Sequence, residues 1–97
     1  MASPLSNRER NDLKARAHAL EPRVHVGGSG VTEPLIAEVE RALTAHELIK
    51  VKIASDDREA RVAMGEEIAE RTGATTVHRV GKVLILWRAR PEPVEPE

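Results

Sequence analysis

The 97-residue chain contains no cysteine, phenylalanine or tyrosine, and a single tryptophan. Without cysteine it can form neither disulfides nor thiolate metal sites, which fits a reducing compartment. With so few aromatic residues the core has to be aliphatic, and the usual platform for stacking nucleic-acid bases is missing. No apolar run approaches the roughly 18 residues needed to span a bilayer. The first residues also lack the basic stretch and apolar segment of an export signal. The expectation is a soluble, cytoplasmic protein, and a chain of this length has room for one small core.

What the chain does have is unevenly distributed charge. The formal net charge is −1, but residues 31–70 carry five basic against ten acidic side chains, whereas residues 71–90 carry five basic and no acidic ones. The first 30 residues are net basic, and residues 91–97 add three glutamates and no base. A near-neutral total can therefore contain a basic face able to follow a phosphate backbone, or merely runs of solvated surface.

Periodicity orders the elements. Ser6 and Glu9 have capping-box spacing, and Leu13, Ala17 and Leu20 recur at helical intervals, predicting a helix over 7–19 with Arg8, Arg10, Lys14 and Arg16 on or near its outer faces. Glu21-Pro22 stops it, and a short strand, 23–26, alternates Arg23 and His25 with Val24 and Val26. After a glycine loop, Pro34 suits the first turn of a helix whose apolar stripe is Ile36, Val39 and Leu43. Residues 48–53 form the clearest strand, with Ile49, Val51 and Ile53 alternating with Lys50 and Lys52. A third helix begins near Asp56, where Asp56-Asp57 reads as a cap, with Ala60, Ala63, Met64 and Ile68 turned inward and Gly73 closing it. Two strands, 75–80 and 83–88, are joined by Gly81-Lys82 as a two-residue hairpin. The order α-β-α-β-α-β-β predicts an α/β domain over 1–90, a mixed four-stranded sheet with packed helices. Residues 91–97, acidic and proline-rich, read as a disordered tail.

The chemistry centres on Gly27-Gly28-Ser29-Gly30, between a strand and a helix. A loop with few side chains lets a ligand approach the backbone, and the first N–H groups of a helix lack internal partners, so the sequence predicts an anion site. Nucleotide chemistry does not fit it. No Lys-Ser or Lys-Thr pair supports a P-loop, Glu33 stands where a dinucleotide fingerprint needs its third glycine, and Val31 breaks a nucleophile elbow around Ser29. The four histidines, His18, His25, His46 and His78, show no metal-binding spacing and read as surface or packing residues, with His25 and His78 able to lie near a phosphate. Trp87 can stack on a base or close the edge of the core. No metal, cofactor or small-molecule substrate is expected. Backbone N–H groups of the loop and cations on neighbouring elements can hold a nucleic-acid backbone without reading its bases, leaving specificity to RNA shape.

Three blocks carry a family resemblance: 27–33 around the glycine loop, His46-Glu47-Leu48-Ile49-Lys50-Val51-Lys52-Ile53, and 80–88 from Val80-Gly81-Lys82 to Trp87-Arg88. In order and spacing over about residues 6 to 90 the chain resembles the CRM domain in its stand-alone bacterial form, the YhbY-like proteins. The resemblance implies a fold similar to the C-terminal domain of bacterial translation initiation factor three, and a glycine loop used as in KH domains. It further implies binding to large-subunit ribosomal RNA precursors during ribosome assembly; plant relatives act in organelle intron splicing. The chain departs from the family's pattern in its slightly acidic total charge and acidic tail.

The resulting expectation is a non-enzymatic RNA-binding protein. Gly27, Gly28, Ser29, Gly30, Lys50 and Lys52 are carried over from the matching blocks, and Arg8, Lys14, Arg16, Arg23, Lys82 and Arg88 are added from charge and geometry. The alternative is a protein-interaction module of the translation or assembly machinery that uses the acidic helix face from Glu38 to Glu47 and touches RNA little.

Overall fold

The computed structural model describes residues 5–89; the expected tail at 91–97 lies outside them. The chain runs α1 (Asn7–Ala17), β1 (Pro22–Val26), α2 (Glu33–His46), β2 (Leu48–Ile53), α3 (Arg58–Thr72), β3 (Thr75–Val80) and β4 (Val83–Trp87), the predicted order. The capping box at the start of α1 is complete: the Ser6 N–H donates to Glu9 Oε1 at 2.9 Å, and the Glu9 N–H donates to Ser6 Oγ at 3.0 Å. Thr32 caps α2 by accepting from the Leu35 N–H, and Gly73 ends α3 with φ of +73°.

The sheet order is β1-β2-β4-β3, with β1 parallel to β2 and the other pairs antiparallel. Alternation on the strands divides the core into two layers. Val24, Val26, Ile49, Val51, Ile53, Leu84 and Leu86 face α2 and α3, where they meet Ile36, Val39, Leu43 and Ile68. On the other face, Leu13 and Ala17 of α1 cover Leu48, Val77 and Ile85, with Trp87 packed beside them. Trp87 thus closes the core's edge.

Three local expectations change. Ala63 is exposed; the fully buried positions of α3 are Gly65, Ile68 and Thr72, with Met64 packed partly buried against the core as expected, and the side-chain-free Gly65 lets the helix press close to the sheet. Only Asp57 caps α3, accepting from the Glu59 N–H at 3.0 Å, while Asp56 reaches across to Lys82. Arg10 does not face solvent; its guanidinium donates to the carbonyls of Thr76 and Val77 at 2.9 and 2.8 Å and fastens α1 to the edge strand β3.

Parallel pairing of β1 and β2 brings the loops that follow them out at one end of the sheet. The Ala54 N–H donates to Val26 O at 3.2 Å, and the Ile53 N–H donates to Lys82 O at 2.7 Å. The glycine loop, the β2–α3 loop and the β3–β4 hairpin are therefore neighbours.

Candidate nucleic-acid interface

The glycine loop is a turn closed by the Gly30 N–H donating to Gly27 O at 3.0 Å. Gly30 sits at φ of +74°, a backbone conformation that costs other residues energy, whereas Gly27 and Gly28 lie outside that region. A Cβ built on either would meet nothing within 4 Å. Neither the fold's backbone geometry nor its packing requires glycine at 27 and 28. Among the described residues, the N–H groups of Gly28 and Ser29 have no protein acceptor. They border an open hollow of about 300 Å³, flanked by His25, Thr32, Pro34 and Glu38.

The start of α2 contributes less than the sequence suggested. Pro34 has no N–H, and the Leu35 N–H is already taken by Thr32 Oγ1 at 3.2 Å. Glu33 in the first turn brings a carboxylate, which pairs with Arg71 at 2.6 Å. Of the first N–H groups of the helix only that of Glu33 is left without a protein acceptor among the described residues, so most donors available to an anion here belong to the loop.

From the loop a row of cationic side chains crosses the sheet face that α1 covers. His25 is the direct register neighbour of Lys52, and Pro22 that of Lys50. Alternation with buried Ile49, Val51 and Ile53 puts both lysines on this face. Lys52 is exposed, while Lys50 is half-buried and its ammonium donates to Leu20 O at 3.0 Å. Because α1 is short, it leaves part of the sheet face open. The uncovered part is a hollow of about 380 Å³ with Val80, Val83 and Ile85 as its floor and Lys14, His18, Lys50 and His78 around it. Val80 is 57% exposed. Sequence reasoning did not bring His18 or Val80 into the site. His18 could have been found, since it lies four residues after Lys14 and so on the same helix face.

The remaining sequence-predicted residues scatter. Arg8 and Arg23 are exposed. Arg16 turns to the other flank of α1, 3.9 Å from Asp12, beside a different hollow that Glu9 and Glu47 also line. Lys82 is at the loop end of the sheet, but its ammonium donates to Asp56 Oδ1 at 2.8 Å, and this bond holds the Asp56 carboxyl below the usual carboxylate range. Arg88 is already engaged within the fold. At the opposite end of the molecule, its guanidinium donates to Glu40 Oε1 and Thr72 O at 2.7 Å and to Thr44 Oγ1 at 3.1 Å, joining β4 to both helices.

Comparisons with known proteins agree with this architecture. The chain is 44% identical over 88 residues to an "RNA-binding protein" of Haemophilus influenzae, covering 91% of this chain and 89% of the relative. It is 37% identical over 89 residues to "Probable RNA-binding protein PA4753" of Pseudomonas aeruginosa, covering 92% and 86%. The solution structure of the Staphylococcus aureus protein SAV1595, proposed to bind RNA, superposes with a TM-score of 0.80 at 26% identity, covering 97% of this chain and 98% of that one. The family model for the CRS1 / YhbY (CRM) domain matches residues 5–88, so three helices, a mixed four-stranded sheet and an exposed glycine loop belong here to a member of the CRM domain family.

Proposed function

We propose that this protein binds structured RNA in the cytoplasm, ribosomal RNA of large-subunit precursors, and assists ribosome assembly without catalysing a reaction. The observation that carries the reading is the unforced glycine pair. Gly27 and Gly28 need no special φ and crowd nothing inside the protein, so the missing side chains matter to something outside it. Loop N–H groups take phosphate oxygens, and His25, Lys52, Lys50 and Lys14 extend the contact along the sheet face. Names given to its relatives point to the same class of partner. The open aliphatic hollow replaces the absent aromatic platform as a surface over which an unstacked base can lie.

The acidic face of α2 supports the protein-interaction alternative less well. On that face, from Glu38 to Glu47, Glu40 is engaged by Arg88, so part of its charge is neutralised within the fold.

Binding to a large-subunit rRNA fragment, measured across a salt series, tests the proposal. The affinity should fall steeply as salt rises, and a tagged protein should sediment with large-subunit precursors. Salt-independent or absent RNA binding, with the protein confined to the free fraction, overturns it.

A further inference from the structure

Beyond the glycine loop and the lysine face lies a cluster of cations that neither accounts for. Arg58 opens α3, Arg61 is one turn further along it, and Arg79 is on the edge strand β3, 18 residues away in sequence. The three border one hollow of about 190 Å³, completed by Val62 and Gly81 and lined by no carboxylate. Arg58 and Arg79 are exposed, and their side chains have no hydrogen-bond or ion-pair partner among the described residues. Like charges gathered round one hollow repel one another, and a bound polyanion relieves that repulsion.

Of the acids nearest in sequence, Asp56 feels the charge of Arg61, but none forms an ion pair with the cluster. The Asp56 carboxylate accepts from Lys82, and Asp57 accepts from the N–H of Glu59 as the cap of α3. Glu59 is exposed and does not line the hollow. Arg61 donates to Ser55 O at 2.9 Å, and Ser55 also borders the hollow that Gly27, Gly28 and Gly30 share with Ala54 and Met64. Arg61 thus joins the two hollows through one residue.

We propose that Arg58, Arg61 and Arg79 form a second phosphate-binding site, occupied by the same RNA strand after it passes the glycine loop. Guanidinium groups suit this role because they present paired donors in a fixed plane to phosphate oxygens. Val62 and Gly81 keep the hollow open between them. The strand then continues over the start of α3 and the β3–β4 hairpin, while the lysine face holds the RNA on the other side of the loop. This inference rests on the reading that the loop binds RNA.

The test compares the wild-type chain, the double variant Arg58→Ala/Arg79→Ala, Arg61→Lys and Lys52→Ala for binding to one rRNA fragment over a salt series. Thermal unfolding confirms that each is folded. The double variant should bind about tenfold or more weakly, with a log–log salt slope shallower by about 1.5 to 2, because two phosphate contacts are gone. Arg61→Lys should keep its charge yet lose affinity, because one ammonium cannot both donate to Ser55 O and fork onto a phosphate. If the double variant keeps wild-type affinity and slope while Lys52→Ala loses binding, the arginine site is refuted and the RNA reading stands. If the wild-type chain binds without salt dependence, both fall together.

Discussion

A Cβ built on Gly65 would stand 3.2 Å from Leu84 Cδ2, so at this glycine α3 approaches the sheet too closely for a side chain to fit without displacing Leu84. Alanine there would gain about 1 kcal/mol of helix propensity. It would also push on Leu84, which is 1% exposed and held in a dense core. The two effects oppose each other, so Gly65→Ala should change stability by less than about 1 kcal/mol. Gly65→Val adds two further methyls where there is no room and should destabilise by about 1–3 kcal/mol. Urea midpoints at unchanged m-value measure both.

That contact also shows where a sequence stops being informative. The Lys50/Lys52 alternation and the Ile36, Val39 and Leu43 stripe declare which face is buried, because burial follows the period of the element. Gly65 has no side chain to enter such a pattern, so the inward stripe of α3 was drawn through Ala63, which is exposed. Charges present the converse problem. Lys82, Lys52 and Arg88 look alike in sequence, and only long-range pairing separates them. Arg88 is claimed by Glu40, 48 residues away, and Lys82 by Asp56, 26 away, while Lys52 stays exposed beside His25. The glycine loop was legible as a motif, but which of its glycines the fold needs was not.

Within that loop, substitutions should separate stability from binding. Gly27→Ala and Gly28→Ala place a methyl in open space at unstrained φ, so each should leave stability unchanged or raise it by about 0.4–1 kcal/mol. Both should weaken RNA binding, since the methyl occupies the approach to the loop N–H groups. Gly30→Ala should instead cost about 1–2 kcal/mol, because φ of +74° is unfavourable for any residue with a Cβ. Thermal melts and RNA titrations on the same three variants provide the comparison.

Arg88 should behave as a structural residue. Its side chain is 21% exposed, and removing it leaves Glu40 and the carbonyl of Thr72 without their donor. Arg88→Ala should therefore destabilise the fold by about 1.5–3 kcal/mol. Lysine should rescue only partly, because one ammonium cannot span three acceptors on two helices. RNA affinity of the folded fraction should be unchanged, and a loss comparable to that of Lys52→Ala would return Arg88 to the interface.

The Asp56–Lys82 bond makes a prediction in pH. The hydrogen bond from Lys82 comes first among the causes that lower the Asp56 carboxyl below its ordinary 3.8, followed by the charges of Lys82 and Arg61. A carboxyl depressed in the folded state protonates more readily in the unfolded one. Its stabilising contribution is therefore complete above about 3.8 and is lost as pH falls through the lowered folded value. Asp56→Asn should remove that contribution. The difference in melting temperature between wild type and variant should be constant near neutral pH and shrink only below about 3.8. A difference that varies between pH 6 and 8 would contradict this assignment.

Lys52 and Arg16 provide the sharpest separation of geometry from charge. Both carry one positive charge on an exposed side chain, but Arg16 has Asp12 at 3.9 Å and shares its hollow with Glu9 and Glu47, so an approaching phosphate meets acid on that flank. Lys52 is next to His25 on the strand leading into the glycine loop, and on its other side the same face leads to Lys50 and Lys14. If the RNA backbone follows this row, Lys52→Ala removes one phosphate contact and should reduce the log–log salt slope by about 1, lowering affinity to a similar degree for every RNA sequence tested. Arg16→Ala should leave the slope unaltered. Equal losses in the two variants would mean that RNA responds only to the protein's overall charge, and the row on the sheet face would no longer be needed to explain binding.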